Sequence, residues 1–148
     1  MTFETDAYIA ITRVQASYAD TVTRRAWADL SPLFAPDAQI HIDTVTRPPI
    51  DLVGPTALGE FINTAIAKFE FFEFVILNTV VDITSEDEAT GRLWMVEIRQ
   101  ERGSGEWSNA FGLYRDTYER YDGRWRFSER SYRSIARRIG NDPAAVFT

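Results

Sequence analysis

The sequence contains no cysteine and only one histidine, His41, among 148 residues. The absence of cysteine excludes disulfide bonds, thiolate nucleophiles and cysteine-ligated metals, and it is typical of a cytoplasmic protein. A dedicated transition-metal site needs several imidazole or thiolate ligands, which this chain does not offer. Phosphate-binding glycine loops and the common hydrolase motifs are missing as well. We therefore expect neither a metal nor another cofactor.

The chain also lacks long apolar runs and an excess of positive charge. Residues 1–6 show no basic region followed by an apolar stretch, so we expect no signal peptide. The longest apolar candidate, residues 69–81, is interrupted by Glu70, Glu73 and Asn78, so no membrane span is expected. Sixteen basic and 22 acidic residues give a net charge of -6. That balance argues against nucleic-acid binding, which depends mostly on neutralising phosphates.

Aromatic residues are abundant, at 14% of the chain. Such a share favours broad apolar surfaces, either in a core or around an apolar ligand. The length predicts one domain over residues 1–148. We expect its core at about residues 5–135 and a loose tail at 136–148.

The last third of the chain predicts a long β-hairpin. Two aromatic-rich runs, residues 107–121 and 124–135, flank Asp122-Gly123. A two-residue turn needs positive φ at both positions, which Asp tolerates and Gly adopts freely. Each arm is about twice the usual strand length, so we expect the hairpin to be bent by a bulge.

The first half of the chain predicts helices. Asp6 is a suitable N-cap for a first helix that ends near Arg25. An apolar stripe at three- and four-residue steps follows, with Tyr8, Ile11, Val14, Tyr18 and Val22. A short helix is predicted over 27–34, and a third helix after Gly54-Pro55. Residues 39–43 alternate like a strand, and a short edge strand is expected before Gly54.

Further strands are predicted over 72–83 and 90–102. Helices thus come early and four long strands late, which predicts an α+β fold. We expect a curved mixed or antiparallel sheet wrapped around three N-terminal helices, forming a cone with an internal pocket.

Several segments carry a family resemblance. The first segment, residues 18–38, contains Tyr18, Trp27 and Phe34. Residues 89–92 read Ala-Thr-Gly-Arg, and residues 112–116 read Gly-Leu-Tyr-Arg-Asp. Together with Gly54, Phe61, Asn78 and residues 123–130, they resemble SnoaL-like proteins of the nuclear transport factor 2-like superfamily over about residues 5–135. That superfamily includes ketosteroid isomerase, several dehydratases, polyketide cyclases, dioxygenase small subunits and noncatalytic binders. The fold does not choose among these activities.

Tyr18 is the first candidate catalytic residue. Its match in ketosteroid isomerase and in dehydratases is a pocket tyrosine that hydrogen-bonds a substrate oxygen. A phenol suits that role because it donates to enolate charge as it develops in a dry site. The alternative is a core tyrosine whose hydroxyl finds a backbone partner.

His41 is the second candidate, because its ordinary pKa suits a general base near neutral pH. By alternation it shares a face with Gln39 and Asp43, whereas Ile40 and Ile42 share the other face. Burial of the isoleucines turns His41 outward unless a bulge reverses the faces. The isomerase base, counted without gaps, falls on Ile42, so Asp43 is expected to be solvated.

The dehydratase pattern is incomplete in this chain. Its Asp would fall at Thr23, and its His would fall within residues 73–77, which contain none. Asn78 remains and either orients a ligand or satisfies backbone groups at a bulge.

Asp116 is the third catalytic candidate. Tyr114, Asp116 and Tyr118 alternate onto one face of their strand, and a concave face would raise the pKa of Asp116. The alternative is a cross-strand pair with Arg130 on the outer face. The expected substrate-binding residues are Asn78, Trp94, Tyr114 and Tyr132, although tryptophans such as Trp94 more often belong to a core or an interface.

These patterns predict a pocket protein for an apolar, ring-containing molecule, acting as a cofactor-free lyase or isomerase of polyketide, steroid or aromatic type. Tyr18 would polarise a substrate oxygen, and His41 or Asp116 would move a proton. The alternative is a noncatalytic binding or assembly domain similar to a dioxygenase small subunit, which the missing dehydratase residues favour. In either case we expect a homodimer through the convex sheet face, because the sheet carries apolar residues on both sides.

Overall fold

Helices cover one face of a curved β-sheet in the computed structural model, which describes residues 2–147. The helical segments are α1 (Phe3–Arg24), a 3₁₀ helix (Trp27–Leu33) and α2 (Gly54–Ile66). The strands are β1 (Phe34–Asp43), β2 (Ile50–Val53), β3 (Phe69–Ile83), β4 (Glu88–Glu101), β5 (Trp107–Tyr121), β6 (Arg124–Ile139) and β7 (Ala145–Val146). The predicted α+β class is confirmed.

The sheet has the strand order β2-β1-β6-β5-β4-β3, with β7 added beside β6. β1 runs parallel to β6, while the other pairs are antiparallel. The sheet is therefore mixed. This topology places β1, which follows the helices in sequence, directly beside the last long strand.

The turn at Asp122-Gly123 is confirmed, with φ values of 52° and 76°. Its two strands change register between Phe111 and Gly112 and again between Thr117 and Tyr118. Bulges of this kind increase the local bend and twist of long strands. They curve the sheet over the helices, as the strand lengths predicted.

The first helix begins earlier than the predicted cap at Asp6. Thr2 is the N-cap, and its hydroxyl accepts a hydrogen bond of 3.2 Å from the Thr5 amide. Tyr8, placed on the apolar stripe, is 45% exposed. The buried face comprises Ala7, Ile11, Gln15, Tyr18, Thr21 and Val22. None of the helices described within residues 2–147 is long and apolar enough to cross a membrane.

The predicted loose tail at 136–148 is wrong for most of its length. β6 continues to Ile139, and β7 pairs with it through Ala136 and Arg137. The Phe147 amide donates to the Ile135 carbonyl at 2.9 Å. The β6 edge extends beyond the end of β1, and β7 satisfies its backbone groups there. Thr148 lies outside the described residues.

The convex face of the sheet carries apolar side chains. Val96 and Leu113 are buried there, although neither belongs to the core cluster on the concave side. Trp94 and Phe111 share that face by alternation along β4 and β5. The sheet is thus apolar on both sides. A homodimer through this face stays a prediction.

Gly54 and Gly103 give a matched test of backbone crowding at the start of α2. Both have positive φ, 85° and 81°. A Cβ at Gly54 would lie 2.7 Å from the Pro36 carbonyl oxygen, whereas one at Gly103 would meet nothing within 4 Å. Gly103→Ala should therefore cost only the left-handed strain, about 1–2 kcal/mol, and Gly54→Ala clearly more. Urea unfolding checks this, and equal losses would contradict the crowding.

Candidate functional site

The concave face of the sheet and helices α1 and α2 enclose a cavity of about 170 Å³. Its helix-side wall is apolar and includes Val22, Leu58, Phe61, Ile62 and Ile66. Its sheet-side wall mixes aromatic and charged groups, namely Phe72, Phe74, Glu97, Arg99, Tyr114, Arg130, Tyr132 and Arg137. Apolar volume with a few convergent polar groups is typical of small-molecule sites.

Arg130 is the charged centre of this wall. Its Nε donates to Asp116 Oδ1 at 2.8 Å, and its Nη2 donates to Asp116 Oδ2 at 3.1 Å. The two residues face each other across β5 and β6, and their side chains are only 1% and 0% exposed. Such a bidentate pair fixes the guanidinium in one orientation.

Aromatic rings cover the guanidinium. Its Cζ lies 4.4 Å from the Tyr18 ring centroid, 3.9 Å from that of Tyr114 and 4.2 Å from that of Phe127. Cation–π attraction is stronger when the cation is desolvated. Burial acts to lower the pKa of Arg130, but Asp116, with smaller contributions from Tyr18 and Tyr114, raises it above the ordinary arginine value, so the cation persists at neutral pH.

One nitrogen of Arg130 has no partner. Nη1 is buried and makes no hydrogen bond within the described residues. A buried donor left unsatisfied costs about 1–3 kcal/mol. Asp116 occupies the other two guanidinium nitrogens, so Nη1 is the one nitrogen of this cavity-lining residue left without a partner within the described residues.

Tyr18 lies on α1, and its ring packs against the Arg130 guanidinium. Its ring makes edge contacts with Phe34, Phe74 and Phe127, at centroid distances of 6.0, 5.4 and 6.0 Å. Burial raises the pKa of Tyr18, and the Arg130 guanidinium opposes that rise in part. The phenol is therefore neutral at physiological pH and able to donate a hydrogen bond.

Tyr114 and Tyr132 form the middle of the sheet-side wall, with ring centroids 4.9 Å apart. Burial raises the pKa of Tyr114, and it raises the pKa of Tyr132 to about 12. Ser134 Oγ donates to Tyr132 Oη at 3.1 Å. The Tyr132 ring lies across Gly112, where any Cβ would overlap it. The glycine of the Gly-Leu-Tyr-Arg-Asp segment thus makes room for a cavity side chain.

A buried chain of hydrogen bonds extends from Asp116 to side chains on α1 and β3. Tyr118 Oη donates to Asp116 Oδ2 at 3.2 Å, and Gln15 Nε2 donates to Tyr118 Oη at 2.9 Å. Gln15 Oε1 in turn accepts from Thr79 Oγ1 at 2.9 Å. The chain connects α1 to both β3 and β5. The sequence analysis missed Gln15, whose only signal is a polar residue on the buried side of a helix.

Glu97 and Arg99 form a second charged pair on the cavity wall. They lie on β4, with Arg99 Nη1 3.3 Å from Glu97 Oε1. Burial raises the pKa of Glu97, and Arg99 and Arg137 oppose that rise. The sequence analysis also missed this pair. Its signal is the alternation along β4: Glu97 and Arg99 follow Leu93 and Met95 at two-residue steps, so all four side chains lie on the same face of the strand.

The comparisons with known proteins agree with this architecture. A family model described as a SnoaL-like domain matches residues 4–131. The chain belongs to the SnoaL-like family. A comparison with curated protein sequences finds no match.

Solved structures show the same fold for this SnoaL-like protein. A provisionally named scytalone dehydratase from Novosphingobium aromaticivorans is 22% identical, covers 97% of this chain and 94% of its own, and gives a TM-score of 0.81. Hexachlorocyclohexane dehydrochlorinase LinA-type3 from Novosphingobium barchaimii is 18% identical over 99% and 98%, with a TM-score of 0.82. A provisionally named aromatic ring hydroxylase from N. aromaticivorans is 18% identical over 94% and 92%, with a TM-score of 0.73. At these identities the likeness shows the shared cone fold alone.

Four predicted site residues line the cavity of this SnoaL-like protein: Tyr18, His41, Tyr114 and Tyr132. Their placement agrees with the sequence analysis. Their roles in binding or catalysis stay predictions.

His41 is placed as its alternation indicated, with Ile40 and Ile42 buried and the imidazole turned away from them. Although the residue borders the cavity, its Nδ1 is 2.6 Å from Asp51 Oδ1, and the side chain is about half exposed. The contact with Asp51 and the solvent exposure distinguish His41 from the buried groups of the cavity, and its role in proton transfer stays a prediction.

Asn78 and Trp94 are not among the residues that line the cavity, so the cavity gives their assignment to substrate binding no support and it stays a prediction. They face each other in register on β3 and β4, and a shift between Ile76 and Asn78 precedes that pair. Trp94 alternates with Leu93 and Met95, which are core residues. It therefore belongs to the convex face, and the bulge at Leu77 places exposed Asn78 there as well.

Asp116 has features of both sequence interpretations, the concave-face carboxyl with a raised pKa and the cross-strand pair with Arg130. The cross-strand pair with Arg130 exists, but it is buried and not on the outer face. Burial raises the pKa of the Asp116 carboxyl, as expected for a concave face, and Arg130 offsets part of the rise. Arg130 and Tyr118 occupy both carboxylate oxygens. Asp116 thus holds the guanidinium of Arg130 in one orientation, and its role as an acid or base stays a prediction.

Asp116→Asn should lower the free energy of unfolding by about 3–5 kcal/mol, because it leaves the Arg130 guanidinium buried without its counter-charge. Asp43→Asn is the matched control, since Asp43 pairs with solvent-exposed Arg133 at 3.2 Å. That change should cost less than about 1 kcal/mol. Urea denaturation of both variants measures the difference. Equally small losses would show that the Arg130 charge is compensated by other groups.

Proposed function

We propose that this SnoaL-like protein binds a small, apolar, ring-containing molecule in its cavity and acts on it as a cofactor-independent lyase or isomerase. The supporting observation is a cavity of apolar and aromatic groups built beside a fixed cation that retains one unpaired donor. Apolar walls favour a ring by burial. An unpaired donor favours a ligand that presents an acceptor oxygen or halogen to Arg130 Nη1.

The size of the cavity narrows the class of ligand. An engineered apolar cavity of about 150 Å³ in another protein holds one benzene molecule, and the present cavity measures about 170 Å³. The volume therefore favours a single substituted ring over a multi-ring steroid.

Tyr18 and Arg130 supply the electrostatic part of such a reaction. A neutral phenol donor and a guanidinium held beforehand in position stabilise negative charge as it forms on a substrate oxygen. Because Asp116 fixes the guanidinium, little reorganisation is needed when that charge appears. The buried, low-dielectric surroundings strengthen both interactions.

The alternative, a noncatalytic assembly domain like an oxygenase small subunit, would suit a cone filled with side chains. The retained cavity and the unpaired Nη1 favour a ligand-binding role instead. Co-purification with a larger iron-containing chain, together with no binding of single-ring molecules, would support the alternative.

Calorimetric titration with single-ring ketones and phenols tests the proposed site. Tyr18→Phe should weaken ring-ketone binding roughly tenfold, since it removes one buried hydrogen bond. Tyr8→Phe makes the same change at an exposed tyrosine and should leave affinity unchanged. Ala110→Leu adds bulk inside the cavity and should abolish binding. Unchanged affinity in both Tyr18→Phe and Ala110→Leu would locate the ligand elsewhere and remove the proposed site.

We also propose that the convex face pairs with a second copy of the chain. Its apolar centre is Trp94, Val96, Phe111 and Leu113, and Leu77 beside it is 58% exposed. Arg92 and Arg115 are opposed in register next to this patch. The neighbouring row carries Asp82 and Glu129 by alternation. A two-fold arrangement brings one copy's arginines to the other's carboxylates.

Leu77→Glu should dissociate such a dimer because it introduces charge into the apolar contact. Ile9→Glu, at a half-exposed position of α1, is the control and should leave association unchanged. Sedimentation at micromolar concentration measures the mass of each variant. A monomeric unmodified protein would refute the pairing.

A further inference from the structure

Positive charge is in excess at one end of the cavity. Arg99 on β4 and Arg137 on β6 line the cavity there, together with the Glu97 carboxylate. Arg137, Ala110 and Glu97 lie in one row across β6, β5 and β4, and Arg99 follows Glu97 two residues later. Burial raises the pKa of Glu97, and protonation of that carboxyl would only increase the excess. The overall charge of the chain is -6, so this local excess does not follow from composition.

The Arg130 end of the cavity carries no such excess. Asp116 neutralises the Arg130 guanidinium through two hydrogen bonds, and two inward rows of side chains separate the Asp116 row from the Glu97 row. A ligand group beside Arg130 therefore meets a neutral ion pair, whereas a group beside Arg99 meets uncompensated positive charge. The first end suits a neutral acceptor and the second suits an anion.

The two arginines keep donors for a ligand. Arg99 donates from Nη1 to Glu97 Oε1 at 3.3 Å and from Nε to Ser108 Oγ at 3.0 Å. Arg137 donates from Nη1 to Thr46 Oγ1 at 3.3 Å. Among the described residues, neither Nη2 atom takes part in a hydrogen bond. Each guanidinium is thus held by polar neighbours and retains one terminal nitrogen without a protein partner.

Tyr132 adds a neutral donor beside both cations. Its hydroxyl accepts a hydrogen bond of 3.1 Å from Ser134 Oγ, which leaves its own proton to donate. Burial, helped by Glu97, raises the pKa of Tyr132 to about 12, although the nearby charges of Arg137 and Arg99 act to lower it. A phenol that stays protonated beside two guanidinium groups suits an anionic oxygen, which can accept from all three.

Both arginines also reach solvent. The Arg99 side chain is 13% exposed, and Arg137 is half-buried. An anion bound between them need not lose all of its water, which lowers the cost of placing a charge there. The ring that carries this anion can then lie deeper, against the apolar wall from α2.

We propose that Arg99, Arg137 and Tyr132 form an anion subsite, and that the ligand of this cavity is a ring acid whose carboxylate binds there. The carboxylate compensates the excess positive charge, and the ring fills the apolar volume beside Tyr114. This inference rests on the proposed function and assigns its ring-containing ligand a charge class.

Benzoate and benzamide are matched probes for the subsite, because they share a ring and a planar carbonyl group and differ in charge. Calorimetric titration of the unmodified protein should show benzoate binding at least about tenfold more tightly, since hydrogen bonds between charged partners are stronger than those to a neutral acceptor. Benzamide binding also reports that the cavity of each variant is folded.

Arg137→Gln should lower benzoate affinity about tenfold. It should leave benzamide affinity within a few-fold, because glutamine still donates to a carbonyl oxygen. Arg138→Gln is the matched control, since it removes the same charge from the next residue of β6. Arg138 is exposed, and its Nη2 donates to Asn109 Oδ1 at 2.8 Å. The preference for benzoate should survive there, and Arg137→Lys should retain part of it.

Glu97→Gln should have the opposite effect. It removes the one carboxylate among the described residues that line the cavity. Benzoate should therefore bind several-fold more tightly to this variant, because a like charge near the subsite has been removed. Benzamide affinity should stay the same. Weaker benzoate binding would contradict the charge excess on which the subsite depends.

The outcomes separate the two proposals. Equal affinities for benzoate and benzamide would overturn the anion subsite, while ligand binding in the cavity would stand. Equal weakening by Arg137→Gln and Arg138→Gln would also overturn it, since the preference would then come from diffuse surface charge. No binding of benzoate, benzamide or any single-ring ketone or phenol would overturn the proposed function and this inference with it.

Discussion

The guanidinium of Arg130 is enclosed in the core, with Asp116 on its edge and the rings of Tyr18, Tyr114 and Phe127 around it. A charge removed from water costs several kcal/mol, and this cost is offset only when its partners are held at close to ideal geometry. Every group that contacts Arg130 is therefore constrained. That constraint joins α1, β5 and β6 at one point and fixes the shape of the cavity beside them.

The hydrogen-bond chain through Tyr118, Gln15 and Thr79 extends the same constraint across the cone. Buried ion pairs are weak contributors to net stability compared with apolar packing. In the proposed function the pair orients the cation, which then needs little rearrangement when a ligand binds. The unpaired Nη1 is the donor that the proposed ligand would satisfy.

The apolar and the charged groups of the cavity lie on different walls. The helix side supplies apolar surface from α2, and the sheet side supplies two charged pairs, Asp116–Arg130 and Glu97–Arg99. The first pair is sealed and holds a cation in place, whereas the second keeps its carboxylate within reach. Two carboxylates on one sheet face thus lie in different environments, one with both oxygens hydrogen-bonded and the other partly exposed.

The sequence by itself determined the α+β class, the Asp122-Gly123 hairpin and the bent long strands, because these depend on local turn chemistry and on periodicity. Its segments also carried the SnoaL-like resemblance. It also predicted that Ile40 and Ile42 lie inward and that Tyr114, Asp116 and Tyr118 share a face. Only the tertiary structure decided which face of β5 is concave, and so buried Asp116 with Arg130. It also moved Asn78 and Trp94 to the convex side and brought Glu97 into the cavity. The physical reason is that alternation groups residues by face, while curvature, bulges and helix docking decide which face encloses the site.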